Sequence, residues 1–201
     1  MENRKPFPVY SSQEVLDFTG ECCEKTKHLN GDLVECGVGA GSQIAMMIRH
    51  AHGRKVWGFD SFEGIPFATK DDVTQPGIGE IDMSKEGLLQ STGITVHSLE
   101  NVKDNLQKMG VNPEYPNLVQ GWFQNTLPLS SKEIKAISVL RLDGDLYTST
   151  RTSLYWLYEK VVKGGIIIID DWTLPGSRKA VLEFINLKKI IEIHGIAYTI
   201  K

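Results

Sequence analysis

Short apolar runs alternate with amphipathic stretches along most of the chain. The runs have the length of strands and cover residues 33–38, 55–60, 117–120, 137–142, 166–169 and 196–200. Nearly continuous apolar strands that alternate with helices are typical of a parallel sheet covered on both faces. The pattern therefore predicts a doubly wound α/β fold with a mostly parallel sheet of six or seven strands.

Apolar residues at helical spacing fill the segments between these strands. Helices are expected after the capping pattern Ser11–Glu14, after Gly41, from Ser98 to Gly110, from Ser149 or Thr150 through Val161, and over 176–190. The first of them lies within an N-terminal segment, 1–30. One domain is predicted over 1–201, since neither an internal repeat nor a linker is apparent.

Residues 64–98 break the apolar pattern. Gly, Pro, Asp, Thr and Ser are frequent there, and so long a loop within a compact domain is usually functional or mobile. We expect this segment to act as a mobile lid over a site. His97 at its border and His194 near the C-terminus stay open as candidate bases.

A glycine-rich turn, Gly37-Val38-Gly39-Ala40-Gly41-Ser42, follows the first strand. Glycines let the backbone approach a ligand closely, and the helix behind them presents its positive end. A dinucleotide fingerprint would place its third glycine where Ser42 stands. Asp60 ends the second strand, where a carboxylate can accept both hydroxyls of a ribose. Together these features predict an adenosine ligand, although NAD and a turn without a ligand remain open.

Four aspartates follow two of the predicted strands: Asp143, Asp145, Asp170 and Asp171. Buried strand ends hold carboxylates poorly unless water, donors or a cation are present. Consecutive strands of a parallel sheet place such residues side by side, and clustered oxygens suit Mg²⁺ or Ca²⁺. We therefore predict Asp143, Asp170 and Asp171 as metal ligands, whereas Asp145 could equally cap the next helix.

Aromatic residues also lie beyond strand ends: Trp122, Phe123, Tyr147 and Trp172. Such rings can stack on a ligand or wall a pocket, or they can simply pack at the rim of the core. Tyr147 and Trp172, together with Asp145, are candidate substrate contacts.

Composition narrows the class of protein. The chain has 201 residues, a net charge of -3 and three cysteines, with apolar and charged fractions of 41% and 23%. These values are ordinary for a globular domain and offer no electrostatic attraction for nucleic acid or an anionic membrane. The odd cysteine count and spacing disfavour disulfides and zinc. No signal peptide or membrane span is apparent, so a cytoplasmic location is expected.

Six blocks of sequence between about Leu33 and Ala197 carry a family resemblance. They are Val34–Val38, Phe59–Pro66, Gly121–Phe123, Thr126–Pro128, Arg141–Tyr147 with Ser149-Thr150, and Gly164-Gly165 through Asp170-Asp171. In this order they resemble the macrocin O-methyltransferase family. The resemblance implies a Rossmann-like class I methyltransferase fold, S-adenosylmethionine, Mg²⁺ and a hydroxyl acceptor, often a sugar on a natural product.

The resemblance also implies roles for individual residues. Glu35, Gly37 and Gly39 would lie on the methionine and ribose side of the cofactor, Asp60 and Ser61 would hold the ribose, Trp122 would border the adenine, and Asp143, Asp170 and Asp171 would bind Mg²⁺. Ser42 is a further candidate for cofactor binding. Asp143 is also the first choice for the catalytic base and would face the cofactor. After His194 the sequence leaves room for one strand, where the seven-stranded fold has a closing pair. We expect a small hydroxylated acceptor and neither a nucleic acid nor a membrane partner, and a homodimer is one of the oligomeric states left open.

Two other functions remain open. Asp143-Gly144-Asp145 could be the Asp-x-Asp motif of a metal-dependent glycosyltransferase that grips a nucleotide-sugar diphosphate. The chain could also be a non-catalytic protein with a methyltransferase-like fold that binds a partner or senses the cofactor. The glycine turn and Asp60 fit the glycosyltransferase less well than the methyltransferase.

Overall fold

The computed structural model describes residues 11–72 and 83–201, which form a seven-stranded sheet with helices on both faces. The strands are β1 (Asp32–Cys36), β2 (Val56–Asp60), β3 (Asn117–Gln120), β4 (Ile137–Leu142), β5 (Val161–Ile169), β6 (Ile191–Ile193) and β7 (Ile196–Ile200). The α-helices are α1 (Gln13–Lys25), α2 (Ser42–Arg49), α3 (Leu99–Lys108), α4 (Phe123–Ser130), α5 (Tyr147–Leu157) and α6 (Pro175–Leu182). The fold class predicted from the sequence is confirmed.

The order of the strands creates a crevice at one edge of the sheet. The order is β3-β2-β1-β4-β5-β7-β6, with β1 to β5 parallel and β7 antiparallel to both of its neighbours. From β1 the sheet is extended by β2 and β3 on one side and by β4 and β5 on the other, so the strand order changes direction between β1 and β4. Ligands bind at such switch points. Cys36, Leu142 and Ile169 are paired in register, so β1, β4 and β5 end level with one another.

Alternate strand residues enter two separate apolar layers. Leu33 packs in the layer that α1, α2 and α3 cover, whereas Val34 packs in the layer under α4, α5 and α6. Burying one such side chain contributes about 1.5–3 kcal/mol, so the two layers hold the strand ends firmly. No helix within 11–72 or 83–201 is long and apolar enough to cross a membrane.

The C-terminal part of the sheet differs from the sequence-based expectation. Instead of a helix over 176–190 and a single strand, α6 ends at Leu182 and β6 and β7 form a hairpin. Its two turn residues, His194 and Gly195, have φ of 50° and 81°, and positive φ at both positions matches the twist of paired strands. So short a turn lets both strands of the closing pair form within residues 191–200.

Several helix boundaries also differ. α1 ends at Lys25 rather than near residue 30, α5 begins at Tyr147, and Val161 belongs to β5 rather than to a helix. The sequence pattern does not predict α4, because Pro128 and polar residues obscure its helical spacing. The middle of the predicted lid, 73–82, lies outside the described residues.

Candidate functional site

A cavity of about 280 Å³ lies where β1, β2, β4 and β5 end. Most of the residues predicted to bind a cofactor or a metal line it, as does the candidate substrate contact Asp145: Gly37, Gly39, Asp60, Ser61, Trp122, Asp143, Asp170 and Asp171. Glu35 and Ser42 do not line it, because Glu35 is buried within β1 and Ser42 opens α2. The fold thus joins two groups of residues that the sequence places far apart.

The carboxylate of Asp60 ties the glycine turn to the end of β2. Its Oδ2 accepts hydrogen bonds from the N–H groups of Val38 (2.7 Å) and Gly39 (3.0 Å), and its Oδ1 accepts one from Phe62 (2.8 Å). Burial raises the pKa of Asp60, and these N–H donors oppose the rise. Asp60 therefore shapes the turn and also borders the cavity.

Gly37 is the point where the turn comes closest to the strand that carries the acids. Its φ is +94°, and a Cβ added there would lie 1.7 Å from the carbonyl oxygen of Asp143. Both the backbone conformation and the lack of space require glycine. This residue therefore sets the distance between the turn and the end of β4.

Asp143, Asp170 and Asp171 form a compact acid cluster. Each offers a carboxylate oxygen, and the three oxygens lie within 4.8 Å of one another. They meet because β4 and β5 are paired up to their last residues, so the aspartates that follow lie side by side. Oxygen donors in this number suit a hard divalent cation.

An arginine that the sequence analysis missed lies beneath the acid cluster. The side chain of Arg141 is 0% exposed, and its guanidinium pairs with Asp143 (Nη1 to Oδ2, 2.6 Å), with Asp170 and, more distantly, with Glu35 (3.4 Å). Burial lowers the pKa of Arg141, but these carboxylates outweigh burial and raise it overall. The sequence does contain a signal for this pairing. Arg141 lies inside an apolar strand, and an arginine in such a strand is almost never buried unless it is paired.

Asp145, Asp170 and Asp171 hold protons more tightly than usual. Burial, followed by repulsion from Asp143 and Asp170, raises the pKa of Asp145 to about 7. Burial also raises the pKa of Asp170 to about 6, although Arg141 opposes the rise. Burial likewise raises the pKa of Asp171 well above its usual value. A divalent cation among these groups would favour their ionised forms.

Asp145 adopts a left-handed backbone conformation, with a φ of 56°. This turns its N–H toward Asp171, whose Oδ2 accepts it at 2.8 Å. The helix-cap interpretation of Asp145 is wrong, because Leu146 occupies the N-cap position of α5. The side chain of Asp145 instead borders the cavity beside the acid cluster.

The aromatic residues that follow strand ends divide into two pairs. Trp122 and Phe123 line the cavity, whereas Tyr147 and Trp172 do not. Tyr147 lies at a neighbouring cleft of about 340 Å³, and its hydroxyl donates to Glu183 (2.6 Å). Trp172 is 2% exposed and packs in the core under the guanidinium of Arg178. Neither side chain lines the main cavity, so a substrate contact of Tyr147 or Trp172 stays a prediction.

The two ends of segment 64–98 border the cavity. Gly64, Ile65 and Pro66 line it on one side of the segment, and Thr95 and His97 line it on the other. The backbone of Ile65 pairs with residues 92 and 94, with N–H to O distances of 2.9 and 3.1 Å. This pairing holds the two ends together at the mouth of the cavity.

Asp72 anchors the same segment to the start of α5. Its side chain is buried, its Oδ1 accepts the N–H of Tyr147 (2.6 Å), and its Oδ2 accepts the N–H of Thr69 (2.7 Å). Helix N-termini favour a negative charge and leave N–H groups without a partner in the helix. Asp72 meets both needs from a different part of the chain, because its carboxyl group lies at the start of α5 and accepts the N–H of Tyr147.

Comparisons with known proteins identify similar sequences. A family model for macrocin-O-methyltransferases (TylF) matches residues 13–198. Demethyldecarbamoylnovobiocin O-methyltransferase of Streptomyces niveus is 37% identical over 177 residues, which are 84% of this chain and 64% of that protein. The 8-demethyl-8-(2,3-dimethoxy-alpha-L-rhamnosyl)-tetracenomycin-C 4'-O-methyltransferase of Streptomyces olivaceus is 36% identical over 159 residues, 77% of this chain and 58% of that protein. The chain therefore spans about three fifths of the length of these curated relatives.

A solved structure shows the same fold. The O-methyltransferase NovP is 31% identical and superposes with a TM-score of 0.76. The match covers 94% of this chain and 79% of NovP.

Proposed function

Because this chain belongs to the macrocin O-methyltransferase family, we propose that it is an S-adenosylmethionine-dependent O-methyltransferase acting on a hydroxyl of a small molecule. Membership of the family implies S-adenosylmethionine as the methyl donor. The observation that carries the proposal is a single cavity shared by the glycine turn, Asp60 and the acid cluster. A methyl donor and an acceptor hydroxyl could lie there side by side, as direct transfer requires.

The proposed acceptor is a sugar hydroxyl or a natural-product glycoside. The relative from Streptomyces olivaceus is named as a 4'-O-methyltransferase of a rhamnosyl tetracenomycin. The cavity of this chain is rich in carboxylates, which accept hydrogen bonds from hydroxyl groups. A hydroxyl-bearing ring is therefore the acceptor that suits the lining best.

The methyl donor is proposed to lie along the glycine turn. The backbone at Gly37 and Gly39 would face its methionine and ribose portions, and Trp122 would border its adenine. Asp60 already accepts three backbone N–H groups, so we expect Ser61 to share the binding of the ribose. Glu35 and Ser42 lie behind this surface, and their influence on the cofactor would be indirect.

The acid cluster is proposed to hold Mg²⁺. The residues fit this ion, because three carboxylates converge and no histidine or thiolate joins them within 11–72 and 83–201. Asp143, Asp170 and Asp171 would be the ligands. Bound Mg²⁺ would lower the pKa of an acceptor hydroxyl and help to orient it.

Asp145 is proposed to take the proton from the acceptor hydroxyl. The sequence favours Asp143, but one oxygen of Asp143 is paired with Arg141 at 2.6 Å and the residue belongs to the acid cluster. Asp145 borders the same cavity, and no hydrogen bond to its carboxylate is found among the described residues. Its placement, rather than its titration, carries this assignment.

Segment 64–98 is proposed to cover the cavity during the reaction. Its ends already line the mouth, and Asp72 anchors it to α5. A cover that excludes water would protect the methyl donor and strengthen the electrostatic contacts inside the cavity.

Binding and turnover measurements test the proposed function together. Calorimetry with S-adenosylhomocysteine should show binding, whereas UDP should show none; the reverse result would favour the glycosyltransferase. Transfer of a labelled methyl group to a panel of glycosides should depend on Mg²⁺ and stop in EDTA. Full activity in EDTA would remove the metal from the proposal. Cofactor binding without turnover on the panel would favour the non-catalytic alternative.

A further inference from the structure

We propose that Arg141 determines which divalent cation the acid cluster accepts. By engaging one oxygen of Asp143 and one of Asp170, the guanidinium leaves each carboxylate a single oxygen for a cation, and this favours Mg²⁺ over Ca²⁺. The inference rests on the proposed function only in that the acid cluster holds a divalent cation.

The two ion pairs use different nitrogens of one rigid fork. Nη1 of Arg141 donates to Oδ2 of Asp143 at 2.6 Å, and Nη2 donates to Oδ1 of Asp170. Asp143 and Asp170 remain partly exposed on the cavity side, with 30% and 24% of their side-chain surface accessible, while Arg141 is 0% exposed. The guanidinium therefore engages one oxygen of each carboxylate from the buried side, and among the described residues no hydrogen bond engages the other oxygen of either.

The third carboxylate of the cluster is restricted in the same way by the backbone. Oδ2 of Asp171 accepts the N–H of Asp145 at 2.8 Å. Each of the three carboxylates thus has one oxygen engaged by a protein donor. The cluster as a whole offers three single oxygens rather than three oxygen pairs.

Coordination chemistry makes this restriction selective. Ca²⁺ takes about 6–8 oxygens and commonly binds carboxylates through both oxygens, whereas Mg²⁺ takes about six in a tight octahedron and keeps several waters. Three single oxygens leave about three octahedral positions for water and acceptor oxygens. The same three oxygens leave Ca²⁺ short of ligands.

The fold prevents Arg141 from moving aside. Arg141 pairs in register with Glu35 of β1 on one side and with Ile168 of β5 on the other. The carboxylate of Glu35 lies 3.4 Å from Nη1 and is itself fully buried. Freeing the second oxygens for Ca²⁺ would leave a buried arginine with one distant partner, which is costly.

The ratio of the Mg²⁺ and Ca²⁺ dissociation constants tests this role, measured by calorimetry with the two chlorides. Both ions carry the same charge, so a change in local charge alters both affinities in the same direction. The ratio of the two dissociation constants therefore stays largely unchanged. In R141M the second oxygens of Asp143 and Asp170 become free. We expect the ratio to shift toward Ca²⁺ by about tenfold or more, the scale seen when a residue supporting metal ligands is removed.

Two further variants serve as controls. R141K keeps the positive charge but loses the two-nitrogen fork, so its ratio should shift in the same direction as that of R141M. It also decides the result if R141M does not fold, as judged by circular dichroism. E35Q changes the third partner of Arg141 without freeing an oxygen of Asp143 or Asp170, and its ratio should match that of the wild type.

The outcomes separate this inference from the proposed function. A wild-type ratio in a folded R141M, or in R141K when R141M fails to fold, would overturn the selectivity role while leaving the metal site intact. No binding of either ion by the wild type would remove the metal from the proposed function and this inference with it. Methyl-donor binding, measured with S-adenosylhomocysteine, is independent of both.

Discussion

Asp145 is the residue on which the proposed proton transfer depends. The D145N substitution keeps the size of the side chain and removes its basicity. We expect kcat to fall by about 100- to 10,000-fold, the usual contribution of a general base, with little change in the affinity for S-adenosylhomocysteine. Labelled methyl transfer and calorimetry measure the two quantities. D104N, at an exposed position of α3, is the control and should retain activity. Near-normal turnover by D145N would mean that a different group takes the proton from the acceptor hydroxyl.

Gly37 permits a second prediction at the residue scale, because the chain contains a matched control. Gly37 and Gly53 have φ of +94° and +82°, but an added Cβ meets the Asp143 carbonyl in the first case and nothing within 4 Å in the second. We expect G53A to cost about 1–2 kcal/mol from backbone strain alone. G37A should cost about 3–5 kcal/mol because it also forces the end of β4 away.

Urea denaturation measures both free energies of unfolding, and calorimetry with S-adenosylhomocysteine reports the cavity. G37A should lose cofactor binding, whereas G53A should keep it. Equal losses of stability in the two variants would mean that the lack of space beside Gly37 adds nothing to the cost of the substitution.

At the scale of elements, Asp72 connects segment 64–98 to two helices. It accepts the N–H of Tyr147 at the start of α5, and a Cβ on Gly176 at the start of α6 would lie 2.2 Å from its Oδ1. D72A would leave buried N–H groups without a partner, so we expect a loss of about 2–3 kcal/mol. The segment should also be cleaved faster in limited proteolysis, since its anchor is gone.

D71A is the matched control for this anchor. Asp71 pairs with Lys179 at the surface, where the two side chains are 27% and 54% exposed. Such a pair contributes about 0–1 kcal/mol, so D71A should change stability and proteolysis little. Equal effects of D71A and D72A would contradict the anchoring role.

At the scale of the whole molecule, the acid cavity makes stability depend on pH and on metal. Asp145 and Asp170 have pKa values of about 7 and about 6 in the folded protein, above the ordinary value of 3.8. The folded chain therefore binds these protons more tightly than the unfolded chain. Their stabilising effect is complete below about pH 4 and is lost as the pH rises to about 7. We expect the Tm in EDTA to fall from about pH 5 to about pH 8.

Mg²⁺ should reduce this fall, because a bound cation stabilises the ionised carboxylates and binds only the folded chain. Differential scanning calorimetry in EDTA and in Mg²⁺ measures both curves. D145N removes one of the titrating groups and should flatten the curve in EDTA. A Tm that rises across this range in EDTA would contradict the prediction.

Local pattern carries a large part of the architecture. β1, β2, β3, β4 and β7 fall where apolar runs predict strands, and the glycine turn and the acids fall at their ends. These features depend on a few neighbouring residues, so they can be predicted from the sequence. The hairpin of β6 and β7 and the helix α4 were harder to predict, since a two-residue turn and an internal proline leave weak periodicity.

The sequence by itself determined the parallel sheet, the glycine turn and the placement of acids after β4 and β5, because periodicity and strand ends are local properties. Only the tertiary structure decided that Arg141 pairs with Asp143 and Asp170, that Asp72 caps a helix 75 residues away, and that Trp172 turns into the core. Those outcomes depend on strand register and on which side chains meet across long loops. No pattern within a short stretch of chain reports such contacts, because each needs two distant segments to be packed first.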